Sequence, residues 1–141
     1  MERDCGAWIN MLSHKIKMRM NAALSDLGIT GVQSRIMHFI LVHCQDGPDF
    51  QKDVEDAFSL RRSTTTAILQ LMEKNGIIIR ESVPYDARLK SLVPTDKAAR
   101  LDEQVRTRIL EIDAMLTRDL SPGQQQLFME IAAQMARNLD S

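Results

Sequence analysis

The sequence predicts a mainly α-helical chain with a small two-stranded β wing, arranged as a winged helix-turn-helix between long N- and C-terminal helices. Three observations lead there. Apolar residues recur at spacings of three and four over most of the 141 residues, the period of helices with one buried face. A short helical pattern, a tight connection and an amphipathic pattern follow one another over 50–75, the order of a helix-turn-helix. The β-branched run Ile77-Ile78-Ile79 then leads to a Pro84-Tyr85-Asp86 turn and a second strand-like run, the signature of a hairpin.

The first helix is expected over 6–27, with Trp8, Ile9, Met11, Leu12, Ile16, Met20, Ala23, Leu24 and Leu27 on one stripe and Gly28 as its stop. Thr30 and Gln33 form a capping box that opens a second helix to about Cys44, with Val32, Ile36, Phe39, Ile40 and His43 or Cys44 facing inward. Asp49 is the expected N-cap of a third helix over 50–58 that buries Val54, Ala57 and Phe58. The fourth helix is expected over 62–75, with Ala67, Ile68, Leu71 and Met72 on its inner face and Asn75-Gly76 as its stop. Strands at 77–81 and 89–93 pair around the turn. Thr95 caps a fifth helix over 96–118, with Asp96 complementing its dipole. Ser121 and Gln124 form a second capping box, with Pro122 at the first helical position, and open the last helix.

One domain is the expectation for this length: 30–95 as the winged helix-turn-helix, with 1–29 and 96–141 as flanking helices. The apolar stripes of those flanking helices can form intramolecular core or a dimer seam. A dimer is attractive because one helix-turn-helix reads only a few base pairs, whereas a two-fold pair reads a pseudo-palindrome.

Apolar residues make up 44% of the chain and charged residues 26%, as in a soluble globular protein. No run approaches a membrane span, and the first residues lack the apolar core of a secretory signal. The expected location is cytoplasmic, with no membrane partner. The net charge of −1 gives no help towards a nucleic acid, so that argument rests on local distribution. Residues 61–74 are net +2 (Arg61, Arg62 and Lys74 against Glu73) and residues 80–90 are net +1.

Two arginines followed by Ser63, Thr64, Thr65 and Thr66 stand in and before the first turn of the fourth helix. Their hydroxyls can donate to phosphates or bases. Arg61 or Arg62 can pair bidentately with guanine or clamp a phosphate. Gln70, about one turn beyond Thr66, can reach adenine. The alternative is a solvated helix start that Ser and Thr merely cap. The concentration of hydroxyls behind the arginines favours double-stranded DNA.

Leu60 through Arg80, Tyr85-Asp86-Ala87-Arg88-Leu89-Lys90 and Pro94-Thr95-Asp96-Lys97 together resemble the MarR (multiple-antibiotic-resistance regulator) family of winged-helix regulators. The order of six helices and a wing extends the resemblance to the whole chain. It implies a homodimeric transcriptional regulator, most often a repressor, acting on a pseudo-palindromic operator. The family's wing carries an Asp-x-Arg pattern, matched here by Asp86-Ala87-Arg88. On that likeness Arg88 enters the minor groove, Asp86 steadies the wing by an ion pair, and Lys90 contacts a phosphate. The chain departs from the family where Arg61 replaces a usual Ser or Asp, where Ala67 replaces a frequent basic residue, and at Phe50 and Pro94. Many members bind small aromatic or amphipathic effectors between the dimerisation helices and the winged-helix body. The corresponding candidates here are Trp8, Leu12, His14, Ile36, Phe39 and Ile40, each of which can equally be core.

A redox-sensing branch of the family uses a Cys in the first helix, near the place of Cys5, which makes a thiol-switch regulator one alternative. A winged-helix protein-interaction module without DNA binding is another. Cys5 and Cys44 fit no metal or redox spacing, and Cys44 is expected to pack at the end of the second helix. His38 and His43, five apart, do not share a helix face, so no metal or other cofactor is expected. No phosphate-binding glycine loop or nucleophile elbow occurs, and no enzyme is expected.

Overall fold

The computed structural model describes residues 4–141. Helix α1 is Cys5–Leu24, continued by a 3-10 turn at Ser25–Leu27. Asp4 caps it, its Oδ1 accepting from the Ala7 amide at 2.7 Å. Gly28, at φ 71°, ends the segment in the left-handed conformation that lacks a penalty only for glycine. Helix α2 is Gly31–His43, opened by the Thr30–Gln33 capping box with both of its hydrogen bonds present. Helix α3 is Gln51–Phe58 and α4 is Arg62–Lys74. The wing is β1, Ile78–Val83, antiparallel to β2, Asp86–Pro94, with Ile78 opposite Pro94 and Ser82 opposite Lys90. Its register shifts at Ser82/Val83, a bulge beside the turn. Helix α5 is Asp96–Leu116 and α6 is Pro122–Leu139, opened by the Ser121–Gln124 box.

The chain forms two compact units that divide inside α5, one ending at Ile109 and the other Leu110–Ser141. The first holds the core. Leu24 and Ile29 meet Ile36, Met37 and Ile40 of α2, Val54 of α3, Leu69 and Met72 of α4, Ile77, Ile78 and Leu92 of the wing base, and Ala98, Leu101 and Val105 of α5. Arg108 ties α5 to the end of α1. Its guanidinium pairs with both carboxylate oxygens of Asp26, at 2.8 and 2.9 Å, and donates to the Ala23 carbonyl. The second unit buries no side chain of α6, and Leu127, Phe128, Met129 and Ile131 are exposed. On α1 only Leu24 is buried, while Trp8, Ile9 and Met18 are exposed.

Several local expectations are corrected. Phe50, not Asp49, is the N-cap residue of α3, and its amide donates to Asp53 Oδ2 at 2.8 Å. A Phe side chain has no acceptor, so only this half of a capping box exists. Asp49 instead bridges to the wing, its carbonyl accepting from the Leu92 amide at 2.7 Å. Ala57 is exposed, Met37 is buried, and Cys44 is exposed, its thiol donating to the Leu41 carbonyl. The largest correction is the phase of α4. Thr65, Leu69 and Met72 face the core, Ile68 is half-buried, and Ala67 and Leu71 face outward.

Candidate nucleic-acid interface

The turn between α3 and α4 is made by Ser59, a non-glycine residue at φ 52°, and the Leu60 amide returns to the Glu55 carbonyl at 3.0 Å. The two helices are braced by Gln51. Its amide donates to Thr66 Oγ1 at 2.8 Å, to Glu55 Oε2 at 3.2 Å and to the Arg62 carbonyl at 3.4 Å.

Arg61 occupies the N-cap position of α4, and no side chain caps that end. The first amides of a helix lack intrahelical partners, and the positive end of its dipole favours an anion. Arg61, Arg62, Ser63 and Thr64 are all exposed around this end, and Gln70 is exposed two turns along. Thr65 departs from the expected set of contacts. It is 0% exposed, and its hydroxyl donates to the Arg61 carbonyl at 2.9 Å, so it serves the helix interior. Thr66 is half-buried and accepts from Gln51, which leaves its own hydroxyl proton available.

The far end of α4 is also fixed. Lys97 Nζ donates to the Asn75 carbonyl at 2.7 Å, and the Thr95 hydroxyl reaches the Gly76 and Ile77 carbonyls while accepting from the Ala98 amide at 3.2 Å. Arg80 Nε lies 3.3 Å from Glu73 Oε2, joining β1 to α4. The wing and the helix it follows are thus held together at the base.

At the wing tip, Asp86 Oδ1 accepts from the Arg88 amide at 2.9 Å and lies 3.8 Å from Arg88 Nε. The Asp86 carboxylate therefore fixes the backbone of the turn more tightly than it holds the guanidinium. The Arg88 side chain is 96% exposed. Lys90 Nζ donates to Ser82 Oγ across the strands at 2.5 Å, and Tyr85 projects from the turn, exposed.

The six effector candidates differ in exposure. Ile36 and Ile40 are fully buried core, which corrects their placement in an accessible lining. Phe39 is half-buried, stacked on His43 at 4.1 Å between ring centroids and edge-on to Phe58. Trp8 and His14 are exposed on α1 and Leu12 is half-buried. One open groove lies between α2 and α5, where His38 Nδ1 sits 3.2 Å from both Asp102 oxygens beside Leu41, Val42 and Arg106. A second lies at the α2–α3 connection, with Phe39, His43 and Asp49 in its wall. Burial pushes the Asp49 carboxyl above the ordinary range, and its Oδ2 has no hydrogen-bond partner among the described residues. Cys5 is exposed on the first turn of α1. Among the described residues no cluster of His, Cys, Asp or Glu is placed to hold a metal ion. No helix described is long and apolar enough to cross a membrane.

The profile of the MarR family matches residues 27–89, from the end of α1 to the wing. The fold match extends over nearly the whole chain, and one such structure is itself described as a putative MarR family transcriptional regulator, from Clostridium acetobutylicum. It is 29% identical, with 93% of this chain and 95% of that one covered and a TM-score of 0.68. Over residues 27–89 the sequence is similar to the MarR family, and over nearly its whole length the fold is that of the MarR-family structures it matches. The transcription regulator MarR from Oenococcus oeni PSU-1 is similar at 25% identity, covering 95% of this chain and 99% of that one, with a TM-score of 0.70. The structure of an S. aureus MepR–DNA complex matches at a TM-score of 0.86 over 97% of this chain and 99% of that one. At 23% identity it shows the shared fold. No curated protein matches the sequence significantly. MarR-family proteins are transcription regulators, not enzymes.

Two residues with a role at this surface were missed from sequence. Gln51 lay in an expected helix with no sign of its three partners. Lys97 was seen only as part of a family pattern.

Proposed function

We propose that this chain is a MarR-family regulator that binds double-stranded DNA in a sequence-specific manner as a homodimer, and that it acts as a repressor released by a small aromatic or amphipathic effector. The carrying observation is the exposed, uncapped start of α4 with Arg61, Arg62, Ser63 and Thr64, followed by a wing whose Arg88 is anchored at its backbone by Asp86 while its guanidinium, 3.8 Å from that carboxylate, is 96% exposed. Helix α4 enters the major groove, where Arg62, Ser63, Thr66 and Gln70 meet base edges or phosphates. Arg88 extends into the minor groove, whose negative potential attracts a guanidinium. Lys90 meets the backbone, and Asp86 sets the turn. Apolar side chains left exposed on α1 and α6 are the support for a dimer seam. The dimer matches two copies of α4 to a pseudo-palindromic operator.

Effector release requires a ligand that distinguishes two spacings of the recognition helices. Trp8, Leu12, His14 and Phe39 remain the side chains accessible to such a ligand. A thiol switch is the second reading, favoured by the exposure of Cys5. Replacing Cys5 with Ser abolishes oxidant-induced release on that reading, and unaltered release excludes it.

The test of the main reading is mobility shift of random duplex DNA at low salt together with mass by light scattering. Retardation by a dimer is expected. No retardation, with a monomeric mass, would support an interaction module instead.

A further inference from the structure

Helix α4 buries Thr65, Leu69 and Met72. With 3.6 residues per turn, the opposite line of the helix is Ser63, Ala67, Gln70 and Lys74, with Leu71 beside Ala67. All five are exposed. Ser63, Gln70 and Lys74 can hydrogen-bond to bases or phosphates. Ala67 and Leu71 cannot, and Leu71 is 51% exposed. A single exposed Leu is ordinary on a protein surface. This one adjoins an exposed Ala in the middle of an outward strip whose other members are hydrogen-bonding side chains. The strip lies between the cations Arg61 and Arg62 at one end and Lys74 at the other. Those charges match phosphates on either side of a groove.

From this arrangement we infer that Ala67 and Leu71 form an apolar reading patch for the C5-methyl groups of thymine. The inference rests on the proposed entry of α4 into the major groove. There, every base pair presents hydrogen-bonding atoms, but among the bases thymine alone presents a methyl group. An apolar patch pressed on the other edges strips water from polar atoms without replacing their hydrogen bonds. Against thymine it buries methyl against methyl. Each operator half-site therefore carries one or two A·T pairs, oriented with thymine under Ala67 and Leu71 and flanked by the pairs that Ser63 and Gln70 contact.

The test uses the full-length protein and a duplex recovered from a random pool. Each thymine of a half-site is replaced singly by deoxyuridine, which removes the methyl and keeps the pairing atoms. At the positions under the patch, affinity is expected to fall about fourfold per methyl, the value of one buried carbon. Leu71→Ala binds thymine and uracil duplexes alike at the position Leu71 reads. Leu71→Gln, a good helix former, serves as a second variant, and circular dichroism confirms that each is folded. Uracil duplexes that bind as tightly as their thymine parents at every position overturn the inference and leave DNA binding intact. Failure to retard any duplex overturns the DNA-binding reading itself, and this inference with it.

Discussion

Replacing Arg88 with Ala removes a cation from the wing without touching the fold. The side chain is 96% exposed, and its guanidinium approaches Asp86 no closer than 3.8 Å. An exposed pair of this kind contributes roughly 0–1 kcal/mol to stability. The Asp86 carboxylate keeps its bond to the backbone amide of residue 88, because that bond does not involve the side chain. Thermal and chemical unfolding should therefore be nearly unchanged. Binding should not. Each cation that neutralises a duplex phosphate contributes about 0.9 to the slope of log K against log salt, so a dimer losing two loses roughly 1.8. At about 0.15 M salt, released counterions are worth roughly 1 kcal/mol per contact, so the loss is about 2 kcal/mol, or roughly 30-fold in Kd. Fluorescence anisotropy over a salt series reads both quantities. Arg88→Lys should restore most of the slope, since it keeps the charge. An Arg88→Ala protein with wild-type affinity and wild-type slope refutes the placement of this side chain on DNA.

Three further outcomes follow from side-chain environments. Thr65→Val keeps the buried shape and removes one hydroxyl bond, so unfolding free energy should drop by about 1 kcal/mol in denaturant titration, with DNA affinity of the folded protein unchanged. Arg108→Met should destabilise at neutral pH. The Arg108 hydrogen bond holds the Asp26 carboxyl below its ordinary 3.8. Its stabilising effect is present above 3.8 and lost as pH falls through the lower folded value, so the gap between wild type and variant should narrow in acid melts. Asp49 behaves in the opposite sense. Burial, the first cause, raises its carboxyl above 3.8, so the folded state holds the proton more tightly than the unfolded chain. Ionising it costs stability increasingly as pH rises from 3.8 through the raised value. Asp49→Asn should therefore gain stability relative to wild type over that window, and a flat difference across pH would contradict the burial argument.

Local chemistry made much of the fold legible. The capping boxes at Thr30–Gln33 and Ser121–Gln124 and the stop at Gly28 depend on residues within a few positions of one another, and all three stand in the structure. The wing was legible for the same reason, since a β-branched run and a proline turn announce a hairpin. The phase of α4 was not. Ala67, Ile68, Leu71 and Met72 look like an inner face, but the helix is turned by about one residue and buries Thr65 and Leu69 instead. Threonine made this possible, because its methyl packs while its hydroxyl returns to the Arg61 carbonyl. Four successive hydroxylic residues thus hid which of them faces the core, and with it the outward place of Ala67 and Leu71. Asp49 was misread for a related reason. Its type suits a cap, but its carbonyl is claimed by Leu92, a strand partner far away in sequence. The exposed stripes of α1 and α6 were visible from sequence as stripes, yet nothing within one chain's sequence says what covers them.

What the protein selects from a random pool of duplex DNA decides whether two copies of α4 read one site together. The expected product is a pseudo-palindrome whose half-sites lie about one helical turn apart, roughly 10 base pairs or a multiple, bound by two chains per duplex. Enrichment of no sequence, or of a single unpaired half-site bound by one chain, would contradict that joint reading.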